Sequence, residues 1–469
     1  MKKYLLFFFL ISSPHLLLAQ DPAVKKLAAQ KLQVWKSPAV DIVNLKNGMK
    51  LYLQEDHELP LLKAFAYIKG GENQEDAARL GEAALSLAVM RTGGTEKRSV
   101  QEVDKLLEDH GASIESGIAA EYSTFMLNCL AKDQSQMFNL FFEILQKPRF
   151  DAKALQLAKL KKIESLKRLK EDPEKIAFRE FPKLIYGENN VWARSENLKS
   201  VESVQVADLK KIHQQFLHPE NIILAIAGDF KKEELVQKIE SLTQAWPKAN
   251  QAIAAPAPLE KKFKAQNIII PQKTAQSTLV IGHWGDKRFN PDKFALLLMN
   301  YLLGGDVFSS RLGEEIRSNR GLAYSVYSHF GLESDYGLFF ASAQTRVEAT
   351  AEVISVIKKE IEKFQRGEDL SEVRLQEAKE SILNRMVNDW EPRFNFVKDR
   401  ARLSFYGYPE NYYDVFREKL AQVSLGDIKR VAAEYLKPDA LTVLIVGDEE
   451  KLAKDLEKLG KFEKREWKE

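Results

Sequence analysis

Two stretches of the chain repeat one pattern of apolar and polar positions. Ser203 to Asp229 reads as a capped helix, a Pro-containing turn, a short β-branched strand, then Gly-Asp and a further helix. Gln422 to Asp448 repeats that order. Asp208 matches Asp427, Phe216 matches Tyr435, Pro219 matches Pro438 and Gly228 matches Gly447, every pair at one and the same separation. A constant offset over such a stretch marks tandem duplication of a domain of roughly 200 residues.

The remaining pattern fills out the two copies. Asn47–Gly48 between alternating runs predicts a hairpin. The run LLKAFAYIKGG predicts a strand, and Asp76 to Met90 a helix. Ser99 with Glu102 three residues on, and Gly111 as the stop, predicts a boxed helix. A strand Tyr122–Leu130 and long helices through Asp172 follow. The second half predicts a strand Ser277–His283, a helix opened by Asn290–Pro291, Gly304–Gly305, a short helix, and a hairpin Ala323–Ala343. The fold class is α+β, with two tandem homologous domains, each an antiparallel sheet covered by helices. The expected boundaries are 21–245, a Pro- and Ala-rich linker at 246–262, and 263–469.

Composition narrows the class. The 469 residues are 45% hydrophobic and 29% charged with a net charge of +3, basic and acidic positions being mixed throughout. A nucleic-acid-tracking surface is therefore not expected. The segment Met1–Gln20, with Lys2–Lys3 ahead of an apolar run ending near Ala19–Gln20, predicts a signal peptide. Pro14 and His15 interrupt the run and disfavour an uncleaved anchor; no later segment approaches spanning length, so no membrane association is expected after cleavage. The single cysteine, Cys129, lies in an alternating run and predicts a buried strand thiol. Export without disulfides fits a bacterial periplasm.

No self-sufficient catalytic constellation is present. The seven histidines (His15, His57, His110, His213, His218, His283 and His329) are scattered, without a carboxylate at ligand spacing. There is no G-x-S-x-G elbow, and Gly304–Gly305 lacks the Lys and Ser/Thr of a phosphate loop.

Against this blank, Phe308 to Val326, FSSRLGEEIRSNRGLAYSV, resembles the C-terminal-half motif of the inverted-zincin metallopeptidases, the pitrilysin and mitochondrial-processing-peptidase family. That family has the same internal duplication, so the resemblance covers both halves and implies two domains facing each other as a clam shell. It implies that Arg317 and Tyr324, seven residues apart, hold the substrate carbonyl. Gly304, Gly305, Phe308 and Ser309 match the family's loop near substrate entry; a plain helix C-cap explains the glycines equally well. The family's zinc signature, H-x-x-E-H, falls within Leu80 to Thr95, where Ala84, Leu87 and Ala88 stand at the His, Glu and His positions. Zinc hydrolysis needs about three protein ligands and a general base, and these side chains have no lone pair to offer. The closest candidate for the third-ligand Glu is Glu164, which on its heavily charged helix reads most simply as a solvated side chain. No metal is expected in this chain.

The resemblance implies a catalytically incomplete subunit of a heteromeric periplasmic zinc peptidase. A paralogous partner with an intact zinc signature would hold the zinc, and this chain would supply Arg317 and Tyr324 to peptide substrates. Alone it would have no metallopeptidase activity. The alternative is a non-catalytic peptide-binding or scaffold protein of the same fold; retention of Arg317 and Tyr324 speaks against it. A self-contained hydrolase finds no ligand cluster to rest on.

Overall fold

The computed structural model describes residues 37–249 and 251–467; the expected signal peptide lies outside them. No helix among the described residues is long and apolar enough to cross a membrane. The Asn47–Gly48 turn closes a hairpin between β1 (Asp41–Asn44) and β2 (Lys50–Glu55), with Gly48 at φ 99°. That left-handed conformation is why a glycine is placed there. With β3 (Leu61–Lys69), β4 (Ser113–Ile118), β5 (Tyr122–Leu130) and β6 (Ile222–Gly228), they form a six-stranded sheet of order β1-β2-β6-β3-β5-β4. In β5 the buried positions alternate, so Phe125, Leu127 and Cys129 face one core. Burial pushes the Cys129 thiol up to about 12, the state of an inert core thiol.

The second half repeats this topology in five of its six strands. Its strands are β7 (Gln266–Pro271), β8 (Gln276–Trp284), β10 (Ala323–Phe330), β12 (Leu338–Arg346), β13 (Thr442–Gly447) and β14 (Glu463–Lys464). They run in the order β10-β12-β8-β13-β7-β14, while β9 (Asp286–Lys287) and β11 (Leu332–Glu333) form a separate pair. The sixth strand, β14, joins from the C-terminal end of the chain, where the first half has the hairpin strand β1. The duplication is carried into the coordinates. The helices Val206–Phe216 and Leu425–Tyr435 keep the offset of the repeat at both their first and last positions. Asp208 accepts the Gln205 N–H at 2.8 Å, and Asp427 the Ser424 N–H at 2.9 Å.

Two expectations change. The sheets are mixed rather than antiparallel throughout, because β2–β6, β7–β13 and β7–β14 are parallel. Strands β6 and β13 arrive through long helical crossovers and insert beside β2 and β7, which a hairpin cannot do. The helix expected from Asp76 begins only at Glu82. Gly81 holds a left-handed φ of 94° there, and the Glu75 carboxylate accepts the Gly81 and Ala83 N–H groups at 3.0 and 2.9 Å, fixing the first turn.

Each sheet has one face on helices of its own half and the other on a helix from the opposite half. Helix Pro173–Tyr186 lays Ile176, Ala177 and Phe181 against Ile268, Ile270, Val280, Leu444 and Val446 of the second sheet. Helix Arg393–Phe405 lays Val397 and Ala401 against Tyr52, Tyr67, Ala225 and Ala227 of the first. Val397 follows Ala177, and Ala401 follows Phe181, at equal separations within one position of the repeat offset, so the exchange is reciprocal and follows the duplication. Polar contacts edge the seam: Arg393 pairs with Asp56 at 3.3 Å and Glu58 at 3.1 Å, and Arg288 with Glu121.

His283 is a histidine used for packing. Its Nε2 accepts the Lys437 N–H at 3.0 Å while Nδ1 donates to the Trp284 carbonyl at 2.7 Å, so it is a buried, neutral, fully bonded side chain.

Two outcomes follow from this packing. Phe181→Ala, at a site 1% exposed, is expected to cost about 3–5 kcal/mol in urea unfolding; a loss under about 1 kcal/mol would mean the exchanged helix is not an integral cover. Burial lowers the His283 pKa to about 4, below its unfolded value. Its contribution is therefore complete above about pH 6.5 and is lost as pH falls toward 4, on the order of 3 kcal/mol. A pH series of unfolding curves should show that decline and its flattening in His283→Asn.

Candidate functional site

Arg317 lies in Gly313–Asn319, which is wound as a π-helix rather than an α-helix. Such wide turns are rare and recur at functional sites. Gly313 lets the preceding loop close onto this helix: a Cβ there would sit 2.4 Å from the Val307 carbonyl oxygen. The chain then reverses, with the Leu322 N–H donating to the Ile316 carbonyl at 2.9 Å, and enters the edge strand β10. Pairing with β12 shifts register between Ala323 and Ser325, leaving Tyr324 as the bulged residue. Bulges re-aim side chains, and Tyr324 is 84% exposed.

The two sequence-predicted residues therefore meet. The Arg317 guanidinium carbon lies 5.1 Å from the centre of the Tyr324 ring and 4.6 Å from that of Phe308, itself 71% exposed. Both rings lie within cation–π distance of the guanidinium, whose N–H groups make no hydrogen bond among the described residues and are left to donate. Among the described residues no carboxylate lies within ion-pair distance of Arg317. The nearby acids are engaged elsewhere: Glu314 with Arg374 at 2.7 Å and Glu315 with Arg320 at 2.8 Å. A guanidinium and a phenol so placed can both donate to one carbonyl oxygen and hold it more tightly as charge develops.

The loop before this helix is organised by Asp306, a residue that sequence reasoning missed. Its carboxylate accepts the Phe308 N–H at 3.1 Å, the Ser309 N–H at 2.9 Å and the Ser309 hydroxyl at 2.9 Å. Arg385 and Tyr301 reach the same carboxylate at 3.3 and 3.4 Å. Burial raises the Asp306 pKa, but these donors outweigh it and hold the carboxyl low. An Asp two residues ahead of the motif, able to form an Asx turn, was the available signal. Ser309 is thus occupied within the loop. Gly304 is buried against β10, where a Cβ would meet the Ser328 hydroxyl at 2.6 Å. Gly305 faces Asn300 and lines an adjoining cleft. Both glycines serve close backbone approach and have no side chain to offer a substrate.

The zinc-signature positions lie on helix Glu82–Thr92 in the first half. Ala84 and Ala88 are half-buried on one face, and Leu87 is 1% exposed within the core. Glu164 is exposed and pairs with Lys167 at 3.2 Å. No group of three or more His, Cys, Asp and Glu side chains able to hold a metal ion occurs among the described residues. Methyl and isobutyl groups cannot ligate zinc, so these residues do not fit it.

Comparison with known proteins bears on the family and the fold. Residues 53–195 match the family model described as insulinase (peptidase family M16), and residues 203–382 the one described as peptidase M16 inactive domain. A Helicobacter pylori protein named non-peptidase homolog YmxG is 22% identical over 401 residues, 85% of this chain and 91% of its own length. The structure of a peptidase M16 inactive domain from Pseudomonas fluorescens superposes with a TM-score of 0.80 at 25% identity, covering 88% of this chain and 98% of that one. The periplasmic protease PqqL from Escherichia coli superposes at 0.72 and 16% identity, covering 93% of this chain and 51% of that one.

Of the three positions, only Leu87 is integrated into the core. Leu87→Glu would bury an unpaired carboxyl, and a loss of several kcal/mol in chemical denaturation is expected. Ala84→His and Ala88→His, on the half-exposed face, should each cost less than about 1 kcal/mol. Equal effects at all three positions would contradict this reading.

Proposed function

The chain belongs to peptidase family M16, and we propose that it is the subunit of a two-chain peptidase that supplies the carbonyl-binding half of a shared site. The observation that carries this is the Arg317 guanidinium stacked near Phe308 and Tyr324 with no carboxylate to neutralise it among the described residues. A surface arginine of no consequence would more simply pair with one of the acids on its own helix, as Arg320 does with Glu315. Arg317 and Tyr324 would donate to the carbonyl oxygen of a peptide lying across the face, and Phe308 would keep the guanidinium oriented. The zinc and its bound water would come from a paralogous partner, because Ala84, Leu87 and Ala88 have no ligating atoms. The Met1–Gln20 segment and the likeness to a periplasmic protease support a periplasmic setting.

The second reading is a non-catalytic peptide-binding or scaffold protein of the same fold. It is supported by the name of the Helicobacter pylori relative, a non-peptidase homologue. The two differ in what Arg317 and Tyr324 do. Removing one preorganised oxyanion donor costs about 10²–10³ in kcat.

Peptidase activity of this chain mixed with a zinc-signature paralogue encoded beside it tests the point. The mixture should be active and the single chains not. Arg317→Ala should lower kcat of the mixture about 100-fold, and Tyr324→Phe should lower it at least ten-fold, with the subunits still associated. A partner fully active alone, or variants that leave the mixture unchanged, would transfer the case to the scaffold reading.

A further inference from the structure

Charge is mixed along the chain as a whole, but helix Ala152–Arg168 is an exception. Of its 17 residues six are Lys or Arg and one is acidic, against a net charge of +3 for all 469 residues. The helix buries Leu155 and Leu166 in the core of the first half, with Ile163 packed against the same core. At about 3.6 residues per turn, Lys153, Leu157, Leu160, Lys161, Glu164 and Arg168 fall on one stripe away from that core, and all six are exposed.

Two features set this stripe apart from an ordinary solvated face. Leu157 is 54% exposed and Leu160 60%, an apolar pair on the side of the helix that packing does not use. The one acid, Glu164, is already engaged by Lys167 at 3.2 Å. Lys153, Lys161 and Arg168 make no ion pair or side-chain hydrogen bond among the described residues. Beside them a cleft of about 480 Å³ opens toward the start of helix Pro173–Tyr186, with Leu160, Lys161 and Arg168 in its wall. Lys175 on its far side is paired with Asp172 at 2.8 Å. The uncompensated charge is therefore that of the stripe: three cations around two bare leucines.

We propose that this face docks an acidic peptide segment, its carboxylates meeting Lys153, Lys161 and Arg168 and its apolar side chains covering Leu157 and Leu160. Charge complementarity selects an anionic occupant, and the exposed leucines select one that is also apolar. An anionic membrane surface shares the charge, but helices that lie on membranes carry a broad apolar face. This stripe has two leucines, no aromatic residue and a concave flank. Its place favours peptide as well. Gln344 of β12 donates to Glu174, the neighbour of Lys175, at 3.1 Å, and pairs with Ser325, the neighbour of Tyr324. The stripe and the Arg317 face are thus joined through a few residues. The choice of peptide leans on reading Arg317 as a carbonyl donor, yet docking here needs neither zinc nor turnover, so the two fail separately.

The test is fluorescence anisotropy of the full chain with a labelled dodecapeptide of Glu, Leu and Gly, with Gln-for-Glu and Ala-for-Leu versions as controls. Saturable binding is expected, about ten-fold weaker for either control and weakened further by added salt. Lys161→Glu combined with Arg168→Glu should weaken it about ten-fold. Leu157→Ser combined with Leu160→Ser should weaken it about five-fold without lowering the melting temperature, because both side chains are exposed. Lys454→Glu, an exposed reversal on helix Glu449–Leu456, should leave it unchanged, as should Arg317→Ala whatever that variant does to peptidase activity. No saturable binding of the acidic peptide, equal binding of the Gln version, or equal weakening by Lys454→Glu or Arg317→Ala would overturn the proposal. Binding confined to vesicles of phosphatidylglycerol and phosphatidylethanolamine would overturn it in favour of a membrane surface.

Discussion

The structure depends on one reciprocal packing interaction, the exchange of helices Pro173–Tyr186 and Arg393–Phe405 between the halves. Each sheet has two apolar faces, and its own helices cover only one. Leaving the other open would expose Ile268, Ile270, Val280, Leu444 and Val446 on one side, and Tyr52, Tyr67, Ala225 and Ala227 on the other. Such contiguous apolar surface is not tolerated in water. The duplicated unit closes each face with its copy's helix, so neither half is a finished domain without the other.

The second half keeps a polar face on this frame and the first half does not. In the second, a π-helical turn, a β-bulge and an Asp-centred loop each cost regularity, and together they bring Arg317, Tyr324 and Phe308 to one exposed point. In the first, helix Glu82–Thr92 is regular and Leu87 is fully integrated into the core. Irregular backbone is retained where a function constrains it and is otherwise relaxed by substitution toward packing. That contrast supports a division of labour between chains.

Much of this was legible in the residues because it is local. The Asn47–Gly48 hairpin, the Ser99–Glu102 capping box and strand Tyr122–Leu130 all rest on short-range chemistry and appear where expected. The repeat fixed corresponding helices to the residue. What could not be read was non-local. Alternation reveals a strand but not its neighbour, so the parallel insertions of β6 and β13 were hidden. An apolar helix face does not say which sheet it covers, so the exchange was hidden too. The convergence of Arg317 and Tyr324 was expected, but the bulge that exposes Tyr324 and the stacking of Phe308 on Arg317 depend on tertiary register.

The central claim is that peptide meets this chain at the Arg317 face only when a second chain completes the chamber. Photocrosslinking measures that directly, with a benzoyl-phenylalanine in place of Tyr324 and a labelled peptide, with and without the zinc-signature paralogue. The account predicts a peptide adduct at position 324 that requires the paralogue. An adduct with the paralogue absent and unchanged by its addition, or none under either condition, would contradict it.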